Sequence, residues 1–299
     1  MNPKRKLLVT GAHGFVAGSV LAQADDDWRV HAMSRRPAPP VQKRAWQWHI
    51  CDPSAPDKLA ELFGRIQPDA VIHTAALADI DFCQANPELA RAVNVDLTRK
   101  LAELCAGANA RFVFCSTDTI FDGENAPYKE SDQPGPLNRY AETKVEAEQI
   151  VAQLGAQAVI ARLALVAGLP VQGAGNSFLA RMVASFKEGR TVSMSEHEVR
   201  TPVDVITAGR ALLELAAGSQ TGVFHLGGLS RVNRFELARE AAFRFGFPIE
   251  LVLRQSANAM PGRARRPRDV SLDTGRVRAE LKTPMRTLDE ALSLILHGA

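Results

Sequence analysis

Tyr140 and Lys144 stand four residues apart in the run Arg139-Tyr140-Ala141-Glu142-Thr143-Lys144. On a helix that spacing puts the phenol and the ammonium on one face, aimed at one spot. An ammonium beside a phenol favours the phenolate and draws the tyrosine down from its ordinary pKa of about 10, which makes Tyr140 a group able to give or take a proton. Upstream, the apolar run Phe112-Val113-Phe114-Cys115 leads into Ser116 and Thr117. A hydroxyl held at such a strand end fixes the substrate oxygen that the proton serves. Alone, Tyr-x-x-x-Lys also describes a surface helix with an aromatic on its inner edge, so its meaning depends on its surroundings.

Those surroundings begin at the N-terminus. Lys6-Leu7-Leu8-Val9-Thr10 reads as a buried strand and runs into Gly11-Ala12-His13-Gly14-Phe15-Val16-Ala17-Gly18. Gly11 permits a tight turn, and Gly14 lets backbone N–H groups approach a pyrophosphate at a helix N-terminus, so the stretch from Gly11 through His13, Gly14, Phe15 and Val16 is expected to cradle a dinucleotide. The basic start at Lys4-Arg5-Lys6 and the apolar stretch up to Ala22-Gln23-Ala24 imitate a secretory leader. Gly11, His13 and Gly14 interrupt that stretch, and removing it would delete the first strand of a continuous α/β pattern, so the leader reading is set aside.

The end of the second strand bears on which dinucleotide fits. A carboxylate there would bond the ribose hydroxyls of NAD, whereas this chain has Ser34-Arg35-Arg36, a cationic pair suited to a 2′-phosphate. NADP(H) is therefore favoured, with NAD(H) as the alternative. The plainer reading of Arg35 and Arg36 is a pair of solvated loop residues.

The elements that must position these residues alternate between short apolar runs and helical patterns, the signature of a doubly wound parallel sheet of Rossmann type. Val30–Met33, Trp46–Ile50, Ala70–His73, Phe112–Cys115 and Ala158–Ala161 are the expected second to sixth strands. Leu89, Val93, Leu97, Leu101 and Leu104 recur at helical spacing and predict one long crossover helix. Leu169 to Asn176 is loop-like, with Pro170, Gly173 and Gly175, and marks the start of a smaller lobe. Residues 1–165 are thus expected to form a dinucleotide-binding domain, to which the chain returns around 199–228 through Val223-Phe224-His225-Leu226. Residues 166–299 are expected to form mainly a substrate-binding lobe.

Composition narrows the classes. The chain has 299 residues and a net charge of +3, long enough for a sizeable core and without the charge stripe of a nucleic-acid binder. No apolar run has the length of a membrane span. Cys51, Cys83, Cys105 and Cys115 form no Cys-x-x-Cys pair and have no histidine at zinc-like spacing, so no metal site is expected and they read as reduced, mostly buried residues of a cytoplasmic protein.

The glycine turn joined to Tyr-x-x-x-Lys resembles the short-chain dehydrogenase/reductase superfamily, and the long C-terminal part resembles its extended, sugar-nucleotide branch. Within that branch the fuller likeness is to the dTDP-4-dehydrorhamnose reductases. It rests on Ser116-Thr117-Asp118-Thr119-Ile120-Phe121-Asp122-Gly123, Pro127-Tyr128-Lys129-Glu130-Ser131-Asp132 and Pro136-Leu137-Asn138-Arg139-Tyr140. Asn176-Ser177-Phe178, Arg200-Thr201-Pro202, Arg266-Pro267 and the closing Arg286-Thr287-Leu288-Asp289-Glu290-Ala291-Leu292 extend it. The resemblance implies an NADP(H)-dependent oxidoreductase acting on the keto group of a nucleotide-linked sugar. In it Thr117, Tyr140 and Lys144 are catalytic, Ser116, Asp52, Ala75 and Ala76 line the cofactor, and Asn176, Arg200 and Arg266 meet the substrate. Lys144 would also bond the nicotinamide ribose. Asn94 aligns with an asparagine of structural or proton-relay role, or else simply bonds a nearby backbone group.

The chain departs from that pattern in two places. Arg162-Leu163-Ala164-Leu165-Val166-Ala167 replaces a stretch usually carrying aromatics and hydroxyls, which changes the floor of the sugar site, and Thr119 stands where tyrosine is common. Dehydration is disfavoured because the Asp-Glu pair typical of dehydratases is absent after Thr117. Epimerisation at C4 needs only the same tyrosine, lysine and cofactor. A different class, a cofactor-binding regulatory subunit like the β subunit of methionine adenosyltransferase, keeps the same fold while serving a partner enzyme. A nucleic-acid reading of Arg263, Arg265, Arg266 and Arg268 is weaker than a diphosphate or solvent role. No membrane partner is expected, and a homodimer is an open expectation.

Overall fold

Apolar runs bounded by turns become strands buried on both faces. In the computed structural model, which describes residues 4–39, 46–52, 55–171, 177–255 and 263–298, these are β1 (Arg5–Thr10), β2 (Trp28–Ser34), β3 (Gln47–Ile50), β4 (Ala70–His73), β5 (Arg111–Thr117) and β6 (Ala158–Leu163). With the strand Gly222–Leu226 they form a seven-stranded sheet. Its order is Gly222–Leu226, β6, β5, β4, β1, β2, β3, every pair parallel. The six sequence-predicted strands and the later return at Val223–Leu226 all fall within it.

Successive residues along each strand point to opposite faces. Leu7, Val9, Val113, Val159 and Ala161 face one core, closed by Val20 and Leu21 of α1 (Phe15–Gln23) and by Leu212 and Leu215 of a helix at Val205–Ala217. Leu8, Phe112, Phe114 and Ile160 face the other. There Leu59, Leu62 and Phe63 of α2 (Pro56–Ile66) complete the layer. A third cluster, built from Phe178, Met182, Phe186, Phe235 and Leu292, sits under the C-terminal segments. Cys115, read as core, belongs to the first cluster, and all four cysteines are buried and free.

One expectation is corrected. The long crossover helix is three pieces in sequence: α3 (Ile80–Ala85) precedes it, α4 (Pro87–Arg91) begins it, a π-helical turn occupies Ala92–Asp96, and α5 (Leu97–Ala108) finishes it. A π turn takes in an extra residue and rotates what precedes it away from the stripe. Leu97 and Leu101 are buried as expected, but Leu89 is 47% exposed. Among the described residues, no helix is long and apolar enough to cross a membrane.

Candidate active site

The sheet order reverses between β1 and β4, and the crevice beyond their carboxyl ends is where open α/β sheets bind ligands. Gly11 follows β1 with φ +67°, and a Cβ there would stand 2.8 Å from the Ala75 Cα after β4. Only glycine fits both the conformation and the approach. Thr10 and Thr74 fasten the two loops, since the Thr74 hydroxyl donates to the Thr10 carbonyl at 2.7 Å. At Gly14 the chain enters α1 with no side-chain cap and no acidic residue in the first turn, so the positive helix end is left open to an anion. Gly14, Phe15, Val16 and Ala76 line a cavity of about 700 Å³ there. Ser116 lines it too, and its buried hydroxyl has no hydrogen-bond partner among the described residues.

Arg35 and Arg36 are exposed just past β2, and among the described residues neither makes an ion pair. The Arg36 amide donates to the Ser34 hydroxyl, which also meets His13 Nδ1 at 2.6 Å. His13 lies edge-on to Trp48, with ring centroids 4.9 Å apart. Burial and the neighbouring Arg36 hold His13 below its ordinary pKa, so it is a neutral wall beside two cations. Asp52 follows β3, which pairs Ile50 with Ser34, and is exposed at the same edge.

Tyr140 is the second residue of α6 (Arg139–Ala152), whose N-terminus is capped by the Asn138 side chain accepting from the Ala141 amide at 3.0 Å. Tyr140 and Lys144 are both buried on the face that meets β5. Thr117 closes β5, its hydroxyl 3.0 Å from that of Thr119. Lys144 donates to the Cys115 carbonyl at 2.7 Å and stands 3.9 Å over the Phe114 ring. Burial draws its pKa down to about 8. Against expectation, the tyrosine is not drawn down by Lys144: burial pushes it above its ordinary value, and the Thr117 hydroxyl is what eases it back. Desolvation outweighs the ammonium because Lys144 is turned to the strand end. The phenol is therefore held neutral, the form that can donate.

Asn94 sits in the π-helical turn. Its side chain accepts from the Leu77 amide at 2.8 Å and donates to the Leu77 carbonyl and the Thr143 hydroxyl, each at 3.0 Å. It ties the loop after β4 to α6, which is the backbone-bonding role.

The far wall is cationic. Arg200, buried, faces Asp118 at 3.7 Å and Glu198 at 3.9 Å, and Arg263 bonds Glu198 at 3.1 Å. Arg234, on the Phe178 ring at 5.3 Å, and Arg181 complete this lining. Arg266 also lines the cavity but is bonded to Asp81 through both its terminal nitrogens, each at 2.8 Å. Its charge is already answered, which weakens its expected role at a diphosphate. Asn176 lies outside the described residues. The floor, Leu163, Ala164, Leu165 and Val166, is apolar. Glu198, Arg181 and Arg234 carried no signal of their own in the sequence, because only the tertiary fold brings these segments together; Asp118 stood in the Ser116-Thr117-Asp118 run without a role assigned to it. Burial pushes Asp118 up to about 6, against the pull of Arg200.

A family model described as the RmlD substrate binding domain matches residues 5–299. The chain is 30% identical over 282 residues to methionine adenosyltransferase 2 subunit beta of Bos taurus, across 92% of this chain and 82% of that one. It is 30% identical over 297 residues to dTDP-4-dehydrorhamnose reductase of Mycobacterium tuberculosis, across 97% of this chain and 92% of that one. The crystal structure of dTDP-4-dehydrorhamnose reductase from Bacillus anthracis in complex with NADP shares the fold with a TM-score of 0.88 at 22% identity, covering 99% of this chain and 100% of that one. Since the family match takes in the glycine turn, the Tyr140–Lys144 helix and the arginine wall together, the chain belongs to the RmlD substrate binding domain family.

Proposed function

We propose that this chain is an NADP(H)-dependent reductase of a keto group on a nucleotide-linked sugar, with NAD(H) as the alternative cofactor. The observation that carries the reading is the meeting of Thr117, Tyr140 and Lys144 on one wall of a cavity whose other wall is rich in arginine. The mycobacterial relative's name supports the substrate class.

The residues present fit a dinucleotide. The Gly11 turn leaves no room for a side chain, the α1 N-terminus has no cap of its own, and Ser116 offers a buried hydroxyl without a partner. Arg35 and Arg36 would take the 2′-phosphate, Asp52 and Ala75 the adenosine side, and Lys144 the nicotinamide ribose. When bound, the nicotinamide supplies hydride to the carbonyl carbon. Tyr140, kept neutral by burial, gives its proton to the developing alkoxide, and Thr117 holds that oxygen. Arg234 and Arg181 hold the diphosphate, and the apolar floor keeps water from the reacting carbon. In this division residues 1–165, with the return at 199–228, serve the cofactor, and residues 166–299 mainly serve the substrate. Four buried free thiols support a reducing, cytoplasmic location.

The test is NADPH oxidation with a panel of keto-sugar nucleotides, each also assayed for thermal stabilisation. Turnover with at least one is expected. The match to the bovine subunit favours a second reading as a cofactor-binding regulatory chain. Tight NADPH binding with no turnover on any keto-sugar nucleotide would decide for it, and conversion of a nucleotide sugar bearing a C4 hydroxyl into its C4 epimer, with oxidised cofactor supplied and no net change in it, would decide for an epimerase.

A further inference from the structure

His73, at the end of β4, is 1% exposed and plays no part in the chemistry above. Its ring lies beside those of Phe112 and Phe114, with centroids 5.9 and 5.8 Å away, yet both of its nitrogens are bonded. Nδ1 meets the Thr10 hydroxyl at 2.7 Å, and Nε2 meets that of Thr98, on α5, at 3.0 Å. The Thr98 hydroxyl donates its own hydrogen to the Asn94 carbonyl, one turn back, at 2.7 Å. Its oxygen therefore accepts from Nε2–H, which leaves Nδ1 of the neutral ring to accept from Thr10. Burial and Lys144 keep that ring neutral, drawing its pKa down to about 3. At one end of this chain Thr10 immediately precedes Gly11, and its oxygen accepts from the Ala75 amide at 3.3 Å. At the other end the Asn94 side chain donates to the Thr143 hydroxyl at 3.0 Å, and that hydroxyl donates to the backbone carbonyl of Tyr140 at 2.7 Å.

We infer, building on the reductase reading, that His73 is a positioning residue joining the turn that seats the cofactor to the backbone of the proton donor. Thr10, His73, Thr98, Asn94 and Thr143 are all buried, so water does not compete for the bonds between them. In such surroundings a broken link leaves a polar group without a partner, and the chain resists stretching at every link. The π-helical turn at Ala92–Asp96 lets one residue serve both directions, since the Asn94 carbonyl takes the Thr98 hydroxyl while its side chain holds α6. No proton travels along this chain. The ring nitrogens keep fixed donor and acceptor roles, and what is transmitted is placement. Nicotinamide and phenol must meet the same carbonyl group, and a misplacement of about 1 Å between them costs on the order of a hundredfold in rate.

Asparagine and glutamine divide the role of the ring. His73→Asn puts an amide oxygen near the place of Nδ1 and keeps the Thr10 bond, whereas His73→Gln puts an amide nitrogen near that of Nε2 and keeps the Thr98 bond. His73→Asn is expected to lower kcat roughly tenfold to a hundredfold at saturating NADPH, with the NADPH dissociation constant little changed. His73→Gln is expected to weaken NADPH binding roughly tenfold, with the smaller loss in kcat. Should neither variant fold, Thr98→Val removes the hydroxyl at nearly constant shape and Thr98→Ser restores it, so kcat should fall with the first and return with the second while NADPH affinity holds. The chain has two tyrosines, so ¹³C at the tyrosine carbonyl gives two resonances, and Tyr140→Phe identifies the one from Tyr140. His73→Asn and Thr98→Val should shift that resonance, and His73→Gln and Thr98→Ser should leave it in place. NADPH affinity and kcat falling together in every variant, or a Tyr140 resonance that ignores His73→Asn and Thr98→Val, reduces His73 to a packed core residue and overturns the inference. Absence of turnover on every keto-sugar nucleotide counts against the reductase reading alone, and the resonance and the NADPH titrations then decide the link from His73 to Tyr140.

Discussion

Arg266 and Asp81 form a two-point ion pair, both contacts at 2.8 Å, that fastens the segment before Pro267 to α3 across the mouth of the cavity. The Ala264 amide adds a third bond to the same carboxylate at 2.8 Å. Arg234 differs, because burial works against its charge and Glu198, already shared with Arg200 and Arg263, is the carboxylate that supports it. An incoming diphosphate therefore gains more at Arg234 than at Arg266.

Arg234→Ala is expected to raise KM for the nucleotide sugar about tenfold to a hundredfold, the worth of one charged hydrogen bond, with kcat little changed. Arg266→Ala should raise KM less and lower the melting temperature instead. Steady-state kinetics and thermal melts on both variants check this, and the larger KM effect at Arg266 would return the diphosphate to that residue.

Gly11→Ala should be costly to both fold and cofactor. The new methyl meets the Ala75 backbone at 2.8 Å and the residue must keep φ +67°. Strain of this kind costs on the order of 1–3 kcal/mol. Calorimetric melts should show the loss, and NADPH titration a weaker dissociation constant; a variant matching the unaltered protein in both would mean that the turn relaxes freely.

Local signals made this turn legible in the sequence, along with the strands and the Tyr140–Lys144 face. Each depends on neighbours in the chain: a glycine run after a strand, β-branched runs between turns, a four-residue repeat. Arg200, Arg234, Arg263 and Glu198 depend on packing between segments far apart in the chain, so their meeting had no local signature. Leu89 was misread because a π turn shifts helical phase without any residue that announces it. The expected pull of Lys144 on Tyr140 failed for a related reason. Sequence spacing gives the shared face, while burial, which the spacing does not express, sets the larger effect on the phenol.

The cofactor preference should follow Arg35 and Arg36. Two exposed guanidinium groups at the end of β2 favour a 2′-phosphate, each charged bond contributing about 1.5–3 kcal/mol. NADPH is expected to bind at least tenfold more tightly than NADH, and replacing both arginines with serine should level the two. Equal dissociation constants in the unaltered protein would reject the assignment.

Tyr140→Phe keeps the ring and removes the proton. Reduction should slow by about 10²- to 10⁴-fold while NADPH affinity stays within twofold. Single-turnover rates at saturating cofactor are the direct measurement, and full turnover by the variant would place the proton donor elsewhere.

Lys144 carries the clearest pH signature in the cofactor-free protein. Its folded pKa is held near 8 by burial, below the ordinary 10.5. Between those values the unfolded chain keeps a proton that the folded protein has released, so stability attributable to this group rises with pH across that window and is flat below it. Lys144→Met has no such group. The unaltered protein should therefore gain stability relative to Lys144→Met as pH climbs from about 8 to 10.5, by at most about 3 kcal/mol. Denaturant unfolding of both proteins across that range measures the difference directly. A constant difference would mean that Lys144 titrates normally and is better solvated than its position behind Phe114 implies. A shrinking one would mean that the ammonium is stabilised by the fold, with the Cys115 carbonyl outweighing burial.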